Sequence, residues 1–286
     1  MNGTTLRQRL EGKKTLLMPG AYNPFVAKLI EQTGFDGVYI SGAGLANSLG
    51  LPDDGTLTRE DVTFFAARIA RAVHVPVICD ADTGLDLGMK DGIAGTVKAF
   101  IRCGLAGLHV EDQVFPKRCG HLSGKKVIER EAMQEKIRRI CRARRLCGKD
   151  IVIIARTDAR GAANVKESRQ LEESIERGKA YLQAGADMIF PESLRSISEF
   201  RKYRARIDAP LLANMTEFGR TPLLTARQFE SMGYNIVIYP VSLFRFSAGR
   251  MLKALQSLRK HGNQRNLIAA MMRRERINRL LDNDLE

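Results

Sequence analysis

Residues Thr96–Glu111, TVKAFIRCGLAGLHVE, contain the unit from which the fold is read. Thr96–Cys103 has helical patterning. Gly104 is the stop that a helix takes when its next residue must turn left-handed. Gly107–Glu111 is a short apolar strand that ends in a carboxylate. The same return from helix to strand recurs as Gln-Thr-Gly-Phe-Asp-Gly at 32–37 and as Gln-Ala-Gly-Ala-Asp at 183–187. Working outward, strands are expected at Leu16–Met18, Val38–Ser41, Val77–Asp80, Gly107–Glu111, Ile151–Arg156, Met188–Pro191, Leu211–Asn214 and Ile236–Tyr239. Their continuous Ile/Val runs suit parallel strands covered on both faces. Helices are expected between them, at Pro24–Gln32, Val62–Val73, Thr96–Cys103, Arg130–Leu146, Leu171–Ala184 and Ala226–Met232. Thr58-Arg-Glu-Asp61 offers a capping box ahead of the second of these.

Eight alternating strand–helix units in 286 residues is the count of an α/β fold of the (β/α)₈, or TIM-barrel, type, in one domain spanning 1–286. An open doubly wound sheet is the alternative. Its glycine-rich dinucleotide turn is approached only by Ser41-Gly-Ala-Gly44, which lacks the rest of that fingerprint. The segment 247–286 continues as basic helical sequence beyond what a closing barrel helix requires, and a subunit-exchanging helix is one reading of it.

The composition is that of a globular protein, with 44% hydrophobic and 27% charged residues. No apolar run approaches the ~20 residues of a membrane span. The net charge of +14 attracts anions, acidic metabolites among them. Trp is absent and aromatics are 6%, which leaves little for a base-stacking nucleic-acid surface. Neither nucleic-acid nor membrane binding is expected. Five cysteines with no CxxC spacing exclude a disulfide framework and a zinc ribbon. Met1–Leu17 carries Lys13 and Lys14 but no apolar leader, so a reducing cytoplasm is expected.

In such a barrel the chemistry lies at the carboxyl ends of the strands. Those positions are unusually polar here: Tyr39 and Ser41, Asp80 and Asp82, His109, Glu111 and Asp112, Arg156 and Asp158, Glu192, Asn214, Thr216 and Glu217, and Ser242 and Arg245. Asp80-Ala-Asp82 puts two carboxylates on one side of an extended chain, and Glu111 ends the next strand. Hard oxygen donors in this pattern suit Mg²⁺; a carboxylate pair satisfied by Arg156 is the competing reading. Arg156 is suited to a bidentate grip on a carboxylate. Asn214 and Thr216 offer amide and hydroxyl donors. Lys117-Arg-Cys-Gly-His121 follows the Glu111 strand after Phe115-Pro116, with hinges at Gly120 and Gly124. The neighbouring cations are expected to lower the Cys119 thiol pKa. Tyr39 is a candidate base. His109 reads as a core histidine.

Taken together, these segments resemble the isocitrate lyase/phosphoenolpyruvate mutase superfamily, and its methylisocitrate lyase branch most closely. The resemblance rests on Pro19-Gly-Ala-Tyr22, Tyr39-Ile-Ser-Gly42, Leu49-Gly-Leu-Pro-Asp53, Asp80-Ala-Asp82, Gly107–Gln113, Lys117–His121, Ala155-Arg-Thr-Asp-Ala159, Phe190-Pro-Glu192, Leu212–Gly219 and Tyr239-Pro-Val-Ser242. It implies a barrel whose last helix is swapped within a homotetramer. It implies Mg²⁺, with Mn²⁺ able to substitute, held near Asp80, Asp82 and Glu111, partly through water. It also implies a mobile loop on which Cys119 is the catalytic acid, with Tyr39 and Arg156 completing the catalytic set. Ser41, Gly42, Ala43, Lys117, Arg118, Gly120, His121, Arg156, Glu192, Asn214 and Thr216 would contact a di- or tricarboxylate substrate, with Asp53 beside them. The implied reaction is cleavage of 2-methylisocitrate to pyruvate and succinate. Related enzymes acting on 2,3-dimethylmalate, oxaloacetate or carboxyphosphonoenolpyruvate are the alternatives. The chain departs from the usual pattern at Ala43, in the spacing between Ser41 and Asp53, and at Phe115-Pro116, all beside the pocket.

Overall fold

The computed structural model describes residues 3–12 and 14–282; Lys13 and the last four residues of the expected 247–286 segment lie outside them. All eight expected strands form: β1 Leu16–Pro19, β2 Val38–Ile40, β3 Val77–Asp80, β4 Gly107–Glu111, β5 Val152–Thr157, β6 Met188–Pro191, β7 Leu212–Asn214 and β8 Ile236–Tyr239. Parallel ladders join β2-β3-β4-β5-β6 and β1-β8-β7. Single parallel bridges, Gly20 to Tyr39 and Ile189 to Leu211, close the two seams. The sheet is therefore a ring of eight strands in chain order, and the open-sheet alternative is excluded.

The helices follow their sequence signals. They are α1 Gly3–Leu10, α2 Pro24–Gln32, α3 Gly42–Ser48, α4 Arg59–Arg71, α5 Gly92–Arg102, α6 Arg130–Cys147, α7 Gln170–Gln183, α8 Ile197–Arg206, α9 Ala226–Ser231, α10 Ser242–His261 and α11 Arg274–Asp282. Asn23 caps α2, with Pro24 in its first turn. Thr58 and Asp61 form the expected capping box on α4, and Thr225 and Gln228 form another on α9. Gly34, Gly104, Gly148, Gly185 and Gly233, the five helix stops, all adopt positive φ between 62° and 107°. A side chain there would be strained, which is why glycine occupies each helix-to-strand turn.

Three helices were not anticipated. Ser41, expected in β2, instead caps α3 through its Oγ. α8 begins at the Ser196 cap. α1 precedes the first strand, and its Leu6 is fully buried with Leu16, Met18, Ile78, Ala106 and Val152 inside the ring. α1 thus closes the end of the barrel away from the functional strand ends. Burying Leu6 contributes about 2 kcal/mol.

Two apolar layers result. The inner one fills the barrel with alternate strand residues. The outer one lies between the strands and the surrounding helices and includes Ile40, Val77, Leu108, Ile153 and Val237. α10 is an exception: none of its residues is buried, and Phe246, Met251, Leu252 and Leu255 are 55–63% exposed. α11 turns back to pack against α2 and buries Leu280. Among the described residues no helix is long and apolar enough to cross a membrane.

Gly20 lies at the seam where β1, β2 and β8 meet. Its N–H donates to the Tyr239 carbonyl at 2.9 Å, and a Cβ there would lie 1.9 Å from the Pro240 carbonyl oxygen. Backbone cannot give way as a flexible side chain does. Gly20→Ala is therefore expected to cost about 3 kcal/mol, lowering the thermal midpoint by roughly 6–12 °C. An unchanged midpoint in a calorimetric scan would show that the seam is not under this constraint.

Candidate active site

Strand periodicity carries the inner layer into the site. Tyr39, Ile78, Ile154, Phe190, Leu212 and Ile238 point into the barrel. Two residues further on, the same faces carry Asp80, Arg156, Glu192 and Asn214. The apolar plug thus becomes a charged floor within one step of the pleat. Above it lies a cavity of about 270 Å³. Tyr39, Ser41, Ala43, Asp53 and Asp80 line it, as do the whole loop tip Lys117–His121 and Arg156, Glu192, Asn214 and Thr216. Gly42, Asp82 and Glu111 are the expected residues that do not line it. Gly42 sits behind Asp80, its N–H 3.3 Å from Oδ2. Asp82 faces an adjoining cavity of about 180 Å³ lined also by Thr83, Asp86 and Phe115. Glu111 is covered by Arg156, 3.4 Å away.

The loop bearing Cys119 is closed over this cavity. Gln113 clamps it at the base, accepting from the Arg118 N–H (3.0 Å) and donating to the Arg118 carbonyl (2.8 Å). A Cβ on Gly120 would meet Arg156, Glu192 and Asp158 at 2.4–2.8 Å, so only glycine permits so close an approach. His121 Nδ1 accepts the Arg220 N–H (3.1 Å), which leaves the Nε2 proton facing Glu192 at 3.0 Å.

The expected lowering of the Cys119 pKa is overturned. Burial, together with the negative charges of Glu192 and Asp53, raises it. The two cations adjacent in sequence act elsewhere. The Lys117 ammonium ends between Asp53 (2.5 Å) and Asp82 (2.7 Å), and Arg118 is exposed. The thiol therefore keeps its proton.

Arg156 is gripped within the chain. Its Nε and Nη2 donate to Asp158 at 2.8 and 3.1 Å, and Nη2 lies 3.3 Å from Glu192. These cations hold Glu192 and Asp158 below the usual carboxylate range. Tyr39 donates or accepts at 2.7 Å with His109 Nε2. Burial and nearby Asp80 push the phenol pKa up, while burial and Arg156 push His109 down to about 3. Both groups are neutral at pH 7, so Tyr39 is a hydroxyl rather than a standing phenolate.

Asp80, Asp82 and Glu111 supply hard oxygen donors. Glu111 Oε1 is buried with no hydrogen-bond partner among the described residues. Burial raises the pKa of Glu111 and takes that of Asp82 to about 6, outweighing the lowering by Arg156 and Lys117 beside them. Among the described residues no three His, Cys, Asp or Glu side chains converge to enclose an ion unaided. The set fits a hard divalent cation that keeps much of its shell as water and ligand oxygen, and not a closed structural site.

Sequence reasoning missed a supporting layer. Asp112 Oδ1 accepts the Asp158 N–H (2.8 Å), and Asp112 Oδ2 accepts Tyr181 (2.6 Å) and Arg177 (3.2 Å). Lys125, 2% exposed, was also missed. Tyr181 and Arg177 lie on α7, and nothing in their local pattern separates them from ordinary helix residues. Pro240 and Val241 complete the wall of the cavity beside Ala43.

Comparisons with known proteins identify the family. A family profile described as phosphoenolpyruvate phosphomutase matches residues 6–259. The chain is 45% identical over 266 residues to a 2-methylisocitrate lyase of Aeropyrum pernix, an alignment that spans 93% of this chain and 82% of that one. An oxaloacetate acetylhydrolase solved with the inhibitor 3,3-difluorooxalacetate has a TM-score of 0.89 at 33% identity, covering 99% of this chain and 93% of the other. A phosphonopyruvate hydrolase solved with oxalate and Mg²⁺ has a TM-score of 0.85 at 28% identity, covering 99% and 96%. Similarity of this extent, in sequence and in fold, places the chain in the phosphoenolpyruvate phosphomutase family, within the isocitrate lyase/phosphoenolpyruvate mutase superfamily.

Proposed function

We propose that the chain is a Mg²⁺-dependent carbon–carbon lyase that cleaves 2-methylisocitrate to pyruvate and succinate. The observation that carries this reading is the Cys119 thiol, kept protonated on a loop closed over a cavity whose other walls present Arg156, Asn214 and Thr216. The A. pernix relative supports the substrate. The Mg²⁺ complex of the related hydrolase supports the ion. Asp80, Asp82 and Glu111 would hold it. When bound, it would acidify the substrate hydroxyl and hold the neighbouring carboxylate.

The residues of the chain then divide the work. The Tyr39 oxygen, held by His109 Nε2 at 2.7 Å, accepts the hydrogen bond of the substrate hydroxyl, whose proton leaves on that side to cavity water. The bond between the hydroxyl-bearing carbon and its carboxylate-bearing neighbour breaks. One fragment leaves as the 2-oxo acid, and the bonding pair stays on the other. Asn214, Thr216 and the remaining Nη1 of Arg156 meet the carboxylate next to that carbon as its charge grows. Cys119 protonates the carbon, which yields succinate. Ser41 and Ala43 line the pyruvate side, with Gly42 behind them on Asp80. Lys117, Arg118, Gly120, His121 and Glu192 hold the loop and substrate in register, and Asp53 fixes Lys117. The reading treats 1–286 as one catalytic domain in the cytoplasm, assembled as a homotetramer with 247–286 as the exchanged arm. The uncovered apolar face of α10 supports that exchange.

Purified protein given 2-methylisocitrate and Mg²⁺ is expected to release pyruvate and succinate in equal amounts, and excess chelator should stop it. No pyruvate, with turnover of 2,3-dimethylmalate, oxaloacetate or a phosphonate ester instead, would reassign the substrate. Cys119→Ser should lower kcat at least about 10²-fold with an unchanged circular dichroism spectrum. A general acid works in its protonated form, and this thiol lies above its ordinary value of 9.0. The rate should therefore hold through pH 9 and fall only beyond it. A decline that begins near pH 7 would rule out the thiol as the proton donor.

A further inference from the structure

The Cys119 loop is held from behind by a lysine that belongs to its anchor rather than its tip. Lys125 follows Gly124, whose φ is 83°. The Lys125 backbone is fixed to the barrel: its carbonyl accepts the Ala163 N–H at 2.7 Å, and nearby Val127 N–H donates to Asn164 Oδ1 at 3.0 Å. From there the side chain, 1% exposed, turns back under the loop. Its Nζ donates to the Gly120 carbonyl (2.7 Å) and to Asp158 Oδ1 (2.9 Å). The Gly120 carbonyl accepts a second bond at 2.7 Å, from Ser193 Oγ. Ser193 is buried and has a left-handed backbone, with φ 61°.

A buried ammonium is costly and persists only where its acceptors are in place. Here one acceptor is the carbonyl next to Cys119, and the other is the carboxylate that orients Arg156. Opening the loop would remove the first and leave the ammonium under-satisfied, so the arrangement favours closure. We propose that Lys125 is a positioning residue that latches the Cys119 loop shut and sets the thiol in register with Arg156 through Asp158. This builds on the lyase reading for its catalytic meaning, but the latch itself is testable without turnover.

The test is site-resolved alkylation of the full-length protein with iodoacetamide, read by mass spectrometry. Cys79, fully buried on β3, serves as the internal control. In Lys125→Met, Cys119 labelling is expected to accelerate about tenfold, the effect of losing one charged hydrogen bond, while Cys79 stays protected. In turnover, kcat should fall by a similar factor with KM changed far less. Ser193→Ala removes the other donor and leaves Asp158 untouched; it should accelerate Cys119 labelling in the same direction and to a smaller extent. Unchanged Cys119 labelling in Lys125→Met would overturn the latch. So would Cys79 and Cys119 becoming reactive together, since that marks a general packing role. Unchanged labelling in Ser193→Ala would reject the Gly120 carbonyl as the point of attachment. Inactivity of the wild type toward 2-methylisocitrate, with the labelling pattern as expected, would refute the substrate and leave the latch standing.

Discussion

The buried pair between Arg156 and Asp158 is the contact on which the site depends. The two residues lie two apart at the end of β5, so they share a face, and the guanidinium is met by both carboxylate oxygens. Such a pair gains little net stability, because both ions lose water. What it supplies is orientation, and that orientation is relayed outward. The Asp158 N–H is fixed on Asp112, and Asp112 is fixed by Tyr181 and Arg177 of α7. A helix on the outside of the barrel thereby sets the angle of a guanidinium inside it. Removing Asp158 would take a shared acceptor from both Arg156 and Lys125, and an under-satisfied buried cation is costly.

The same charge layout explains how a thiol can serve as an acid here. Two cations precede Cys119 in the chain, yet neither acts on it. Lys117 is drawn away by Asp53 and Asp82, and Arg118 stays in solvent. Burial then dominates, with Glu192 and Asp53 adding to it, and the proton stays on sulfur. A nucleophilic cysteine needs the opposite surroundings. The barrel, by drawing Lys117 down onto carboxylates, separates these two chemistries within five residues of sequence.

This is also where the sequence could be read and where it could not. The strands were legible because a parallel barrel strand is a continuous apolar run, and the turns were legible because a left-handed residue requires glycine. The strand-end residues were legible from the alternation of the pleat. α1 escaped notice because a short polar-faced helix that seals a barrel shows one buried leucine, Leu6, and no long apolar stripe. Ser41 was placed in β2 because the cap that ends the strand shares its extended backbone. The Cys119 pKa was misread because adjacency in a loop says nothing about where side chains point. Lys125 was invisible for a related reason. Lysine is ordinarily a solvated residue, and only the fold shows that this one is enclosed.

The carboxylates at the barrel mouth fall into two groups, and the division assigns the two ends of the substrate. Glu192 and Asp158 lie against Arg156, with His121 also facing Glu192, and are held ionised. Their charge is already balanced by the protein, so this side is ready to receive a carboxylate that becomes more negative during reaction. Asp82 and Glu111 lie behind the cavity wall, Asp82 beside Lys117 and Glu111 beside Arg156, and burial raises the pKa of both. Glu111 Oε1 is without a hydrogen-bond partner among the described residues. A hydroxyl and its neighbouring carboxylate, shared with a hard cation, supply what that side lacks. On the lyase reading proposed above, the 2-oxo acid end of the substrate would lie toward Asp80, Asp82 and Glu111, and the end that receives a proton would lie beneath Cys119 and beside Arg156.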